Sequence, residues 1–198
     1  MRNLSQICAA ALLVVTSAFT TVNENLFPEL ALSFKELKKT KIAQDRQDAL
    51  TSVEQVGIVA KQQKKAVVFE LLGTDGQTAP LAKAVLIAAL AGNGVTDAKV
   101  VCVGPVATDK VVPALAGMGF KVSGTDARFN DTASPVSLQA QASDPAAVHV
   151  LLNDDAASLM AAPDKFAVKL HYPANADAKL VASEMLYAAA QIKYYWKN

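Results

Sequence analysis

The chain has 198 residues, 19 Lys and Arg against 18 Asp and Glu, a net charge of +1, and 52% hydrophobic residues. That is room for one domain of ordinary size plus an appendage, with enough apolar material for a sizeable core and too much for disorder over most of the length. The balanced charge offers no basic face to displace counterions from nucleic acid, and two cysteines without a CxxC or Cys/His cluster exclude a disulfide framework and a zinc site.

The first residues, MRNLSQICAAALLVVTSAFTTV, carry one arginine, no acid and an apolar run from Ile7 to Val15. Three readings fit. The short basic start, apolar run and small residues near Thr16–Ala18 match a secretory signal peptide. The uncharged span from Asn3 to Asn23 approaches the length of a bilayer core, so an uncleaved anchor also fits, with membrane contact through residues 4–22. A mitochondrial or plastid presequence shares the Arg, the Ser/Thr content and the missing acids. Cys8 has too little apolar chain before it for a lipoprotein cysteine.

Residues 23–65 form a charged, helix-favouring connector. Pro28 suits a helix start, and Leu30, Phe34 and Leu37 repeat on one helical face. A second helix is expected over Gln44–Gln62, with Leu50, Val53 and Val56 or Gly57 on one side. Such a connector is either a stalk or a pair of helices packed on the globular part. The KQQKK run at Lys61–Lys65 reads as a solvated helix end.

The globular part is expected over 66–198. The run AVVFELL (Ala66–Leu72) has the apolar continuity of a strand buried on both faces of a parallel sheet. A helix comes next, with Thr78 as N-cap, Pro80 in the first turn and Gly92–Gly94 at its end. AKVVCV is a second strand. A helix starting at Thr108 or Asp109 accommodates Pro113, and FKVSG (Phe120–Gly124) is a third strand. Residues 125–147 read as a long polar loop. VHVLL (Val148–Leu152) is a fourth strand, NDDAASLMAAPD a short helix, and KFAVKLHYP (Lys165–Pro173) an edge strand. Asn175 or Asp177 caps a last helix with Leu180, Val181, Met185, Leu186, Ala189 and Ile192 inward. Alternating strands and helices predict an α/β fold: a Rossmann-like three-layer sandwich with a mainly parallel sheet.

The stretch Lys99–Arg128 runs strand, turn, helix, strand, acid. Asp126 stands 22 residues after Gly104, near the spacing at which an acid holds ribose hydroxyls in dinucleotide sites. ALAGMGFKVSGTDAR is similar to the corresponding part of Rossmann-like methyltransferases and NAD-binding domains. That resemblance implies a nucleotide or S-adenosylmethionine held by Gly104, Thr108 and Asp126. The loop itself is Gly104-Pro105-Val106-Ala107-Thr108-Asp109, without the second and third glycines of the phosphate-binding turn, and Asp109 brings negative charge where a phosphate would sit. The strand AVVFELL and the strand ending KVVCVGP also resemble the DsrE-like sulfur-relay fold. The sulfur-carrying cysteine of that family has no counterpart here, where Gly124-Thr125-Asp126 stand.

Asp75, Asp126 and Asp154/Asp155 all come after predicted strands and could collect at one sheet edge as magnesium ligands, or serve locally as turn and cap residues. Cys102 and His149 lie within strands, and His171 has no nameable nucleophile beside it. The aromatic cluster Tyr194–Trp196 suits either a membrane or partner interface or a helix end folded onto the core. These residues predict no catalytic site, metal or cofactor. They point to a non-catalytic accessory or interaction subunit of a larger assembly, exported or membrane-associated, or in an organellar (mitochondrial) membrane, with protein subunits as partners. The alternative is a small-ligand-binding protein or enzyme using Gly104–Asp109 and Asp126.

Overall fold

The computed structural model describes residues 25–62, 67–161 and 167–196. Two helices come first. α1 (Pro28–Leu37) begins at a proline, whose fixed φ and missing amide suit a first turn, and buries Leu30 and Phe34 one turn apart. α2 (Gln44–Gln62) buries Leu50 and Val53.

Then come β1 (Val67–Leu72), α3 (Thr78–Gly92), β2 (Ala98–Val103) and α4 (Val111–Gly117). Three short strands are next: β3 (Lys121–Ser123), β4 (Asp126–Arg128) and β5 (Val136–Ser137). The chain ends with β6 (Val148–Leu151), a 3-10 helix (Asp154–Leu159), β7 (Val168–Lys169) and α5 (Ala178–Trp196).

The fold is mixed α/β. Four parallel strands lie in the order β2-β1-β6-β7, with helices on both sides, an arrangement compatible with a Rossmann-like α/β fold. Register decides the faces. Phe69 sits between Val100 and Val148, and the next residue, Glu70, sits between Val101 and His149. Successive side chains point to opposite faces.

The Phe69 face carries the main core. Trp196 of α5 stacks on Phe69 with 6.2 Å between ring centroids. Gly57 of α2 lies so close that a Cβ there would stand 2.9 Å from the Phe69 ring. α5 packs along α3 on one flank and α2 on the other. α3 is apolar nearly all round and buried on most sides, with Lys83 as its only charge. The other face has a smaller cluster, Leu72, Val103 and Leu151 against Ala156 of the 3-10 helix.

A polar tie joins α2, the end of β7 and α5. Arg46 Nε donates to Glu184 Oε1 at 2.9 Å, and its other nitrogens reach Glu184 Oε2 and the Leu170 carbonyl. Tyr172 donates its hydroxyl to Glu184 Oε2 under the Arg46 guanidinium, which stands 4.8 Å from the ring centroid. The bond to Glu184 raises the Arg46 pKa, and burial raises the Tyr172 phenol well above its ordinary value.

Several expectations change. FKVSG does not join the parallel sheet. It forms β3 of a separate antiparallel sheet, β3-β4-β5. Lys121 and Ser123 are exposed, so this strand lacks the two apolar faces that a central parallel strand needs. Gly124, at φ 57°, supplies the left-handed residue that folds the chain straight back onto β4. The polar stretch after it therefore contains β4 and β5 rather than only loop. α4 starts at Val111, later than expected, which still keeps Pro113 in its first turn. Of the expected edge strand, Lys165 and Phe166 lie outside the described residues; Val168–Lys169 pair as β7, and Val168, Leu170 and Tyr172 are buried. Of the inward stripe on α5, Leu180 is 40% exposed and the others are buried. The leader readings and Cys8 fall on residues 1–24, outside the described residues. Among the described residues no helix is long and apolar enough to cross a membrane.

Candidate functional site

All four parallel strands end at one edge, where ligands usually bind in sheets of this kind. Each strand end leads into a loop that closes on its neighbours. Gly73 N donates to Val103 O at 3.1 Å, extending the β1–β2 ladder. Gly104 then passes so near that a Cβ on it would stand 2.0 Å from Gly73 O, and its φ of +148° is one few other residues adopt. Thr108 N donates to Gly76 O at 2.9 Å. The two loops are thus laid against each other, backbone to backbone.

The N-terminus of α3 opens onto this edge. The amides of Gln77 and Thr78 are already taken by the chain itself. Asp75 Oδ1 accepts from Gln77 N at 2.9 Å and Thr78 N at 2.8 Å, and Asp75 Oδ2 accepts the Thr78 hydroxyl at 2.5 Å. Asp75, not Thr78, is therefore the capping group. Burial alone would push its pKa up. The hydrogen bonds from Thr78, Gln77 and Asn175 outweigh burial and hold it below the usual aspartate value. A carboxylate thus sits where a phosphate would dock.

Asn153, after β6, ties the other ends together: its Oδ1 accepts from Thr74 N at 3.0 Å and its Nδ2 donates to Tyr172 O at 3.1 Å. Gln77 donates through Nε2 to Ala176 O at 3.2 Å, and its Oε1 is buried without a hydrogen-bond partner. Lys110 Nζ bonds Asn175 Oδ1 at 3.0 Å. His171 Nδ1 and Asp154 Oδ1 meet at 2.5 Å, 60% and 82% exposed, so water screens most of that pair's attraction. His171 and Asn175 have φ of 50° and 59°, the left-handed turns that carry the chain from β7 into α5. The depression left between Gly73, Pro80, Cys102, Gly104 and Pro105 is too small for a water molecule.

Of the residues singled out in the sequence, Gly104 and Thr108 lie at this edge, in the loop contacts described. Asp126 lies in β4, exposed, opposite Ser123 and Ser137 in the antiparallel sheet. The strand before it, β3, pairs in the antiparallel sheet and so does not carry it to the parallel edge. Asp75, Asp126 and Asp154 take separate roles, and among the described residues no group of three or more His, Cys, Asp or Glu is placed to hold a metal ion. Cys102 points its thiol at the carbonyls of Leu138 and Gln139, and burial pushes its pKa up, away from a reactive thiolate.

Sequence reading missed a second constellation, on the face opposite Phe69. Glu70 and His149 are 1% and 0% exposed, and Glu70 Oε2 lies 3.3 Å from His149 Nε2. Ser143 donates its hydroxyl to Glu70 Oε2 at 2.8 Å, and Asp144 N donates to Glu70 Oε1 at 2.7 Å. His149 Nε2 also lies 3.1 Å from Asp144 O and 3.5 Å from Ser143 Oγ. With a carboxylate and a carbonyl as neighbours, that nitrogen carries the proton, an assignment made from the network.

The trio resembles a nucleophile–base–acid set only in composition. Serine and carboxylate share one imidazole nitrogen instead of bracketing the ring, and the hydroxyl proton goes to the carboxylate. What the trio does is fasten the segment 139–147 across the sheet. The available signal was a lone acid in VVFELL and a lone histidine in VHVLL, each an interruption of a buried run. Ser143 gave none.

Comparison with protein-family models, curated proteins and solved structures yields no match.

Proposed function

We propose that the chain is a non-catalytic accessory or interaction subunit of a larger, membrane-associated assembly, built on a Rossmann-like three-layer sandwich whose ligand edge is closed. One observation carries this reading: the strand-end edge is filled by the chain's own groups. Asp75 occupies the N-terminus of α3, and Gly104 and Thr108 are packed on Gly73 and Gly76. A nucleotide would have to displace a capping carboxylate and separate two backbone segments in direct contact.

The exposed apolar residues Val106, Val112, Tyr194 and Tyr195 provide surface for protein partners. The apolar residues 4–22 supply the membrane association. In this reading the domain works by docking.

The test is the native size of the endogenous protein after mild detergent extraction, with co-migrating proteins identified. Migration in a complex well above its own 20.8 kDa is the expected result. A soluble monomer overturns the proposal. Thermal-shift measurement with nucleotides and S-adenosylmethionine then addresses the ligand-binding reading. It requires a shift with the native chain and none with Asp126→Ala.

A further inference from the structure

We infer that the outward face of α1 and the turn after it, formed by Leu32, Lys35, Lys38, Lys39 and Lys41, is a contact surface for an anionic membrane. The inference rests on the membrane association proposed above and deepens it.

The helix is held by one side. Leu30 and Phe34 are buried, and the Phe34 ring meets Phe120 edge-on at 6.3 Å between centroids. Positions 32 and 35 fall on the opposite side of a 3.6-residue helix, and Lys38, Lys39 and Lys41 come directly after its end. Leu32 is 65% exposed. Lys35, Lys38, Lys39 and Lys41 are all exposed. Residues 25–43 hold these four lysines against two glutamates, in a chain whose net charge is only +1. One glutamate, Glu36, is occupied by Lys39 at 2.7 Å. Among the described residues, Lys35, Lys38 and Lys41 form no ion pair within 4.0 Å.

The point where residues 1–24 join the domain is also fixed. Asn130 Nδ2 donates to Asn25 O at 2.9 Å, Phe27 N donates to Phe129 O at 2.7 Å, and the Lys121 ammonium lies 3.8 Å from the centre of the Phe27 ring. Among the described residues, α1 is the first element after that junction. Residues 4–22 are a weak span on their own, diluted by Ser, Thr and Gln, so a basic patch beside them would add to the attachment. A polybasic, partly apolar surface following an apolar segment in the chain is such a patch. Each lysine near an anionic surface strengthens binding by about fivefold, an effect that decays within a Debye length.

The experiment uses the full chain and flotation with vesicles of phosphatidylcholine alone or mixed with phosphatidylserine, at low and physiological salt. The expected result is tighter binding to the mixed vesicles, weakened by salt. The triple variant Lys35→Glu, Lys38→Glu, Lys41→Glu should lose that preference, and the corresponding arginine variant should keep it. Because these side chains are exposed, unchanged thermal unfolding checks that the variants are folded. Equal binding to both vesicle types, or a glutamate variant that still prefers phosphatidylserine, overturns this surface while leaving the membrane association standing. No binding to either vesicle overturns both.

Discussion

Phe69 and Glu70 are neighbours in β1 and face opposite sides of the sheet, and the two sides are built by different means. On the Phe69 side the cover is α2, α3 and α5. Helices satisfy their own backbone hydrogen bonds, so they can lie on an apolar sheet with nothing but side chains between. On the Glu70 side the cover is the non-helical segment 139–147 and a short 3-10 helix. A crossing segment without regular structure arrives with unpaired peptide groups, and burying them unpaired costs about 1–3 kcal/mol each. The sheet itself supplies a partner: Glu70 accepts the Asp144 amide and the Ser143 hydroxyl. The acid in an otherwise apolar strand is thus explained by what covers it.

The largest effect should come from the helical side. Phe69→Ala removes a ring that is 0% exposed and meets both Trp196 and Gly57. We expect a loss of about 4 kcal/mol in denaturant unfolding. A loss under about 1 kcal/mol would mean that the helices do not depend on this contact.

Gly104→Ala tests the edge where the two sides meet. Its Cβ would have to enter space 2.0 Å from the Gly73 carbonyl oxygen, so the ends of β1 and β2 must part. The expected cost is about 3 kcal/mol. Near-neutral behaviour would show that the loops separate easily and that the edge is openable.

Glu70→Gln breaks the other side. It keeps the shape but replaces one of the two acceptor oxygens, which take the Ser143 hydroxyl and the Asp144 amide, with a donor. A loss of about 2 kcal/mol is expected. More telling is its location: hydrogen exchange should speed up at Asp144 and its neighbours before it does in α3 or α5. Uniform acceleration would mean that the two sides are one cooperative unit.

The smallest effect belongs to the α3 cap. Asp75→Ala should cost about 1 kcal/mol at neutral pH. Because the folded-state pKa of Asp75 is depressed, its contribution is complete above the ordinary aspartate value and disappears as pH falls through the lower folded value. The stability gap between native chain and variant should therefore hold steady down to about pH 5 and close below about pH 4. A gap independent of pH would exclude the carboxylate as the cap.

Much of the helical side is legible from local pattern. The 4- and 3-residue spacing of Leu30, Phe34 and Leu37 marks α1, and the apolar run before Gly73, interrupted only by Glu70, marks a buried strand. The edge loops were half legible. The departures of Gly104–Asp109 from a phosphate-binding turn are visible in the residues, but the capping of α3 by Asp75 and the contact of Gly104 with Gly73 depend on loops from different strands.

What the sequence by itself determined is the main helices, the strands β1, β2 and β6 with the parallel α/β class they imply, and the apolar character of α3, because these arise from periodicity and composition along the chain. The tertiary structure alone decided that Lys121–Ser137 folds into its own antiparallel sheet, that Asp126 goes with it, and that Ser143 and Asp144 come to rest on Glu70 beside His149. The contacts of Ser143 and Asp144 with Glu70 join segments 73 and 74 residues apart, whereas the β3–β4 turn at Gly124 is local. Which sheet a strand joins and which face a covering segment crosses are set by register and packing, not by the spacing of apolar residues.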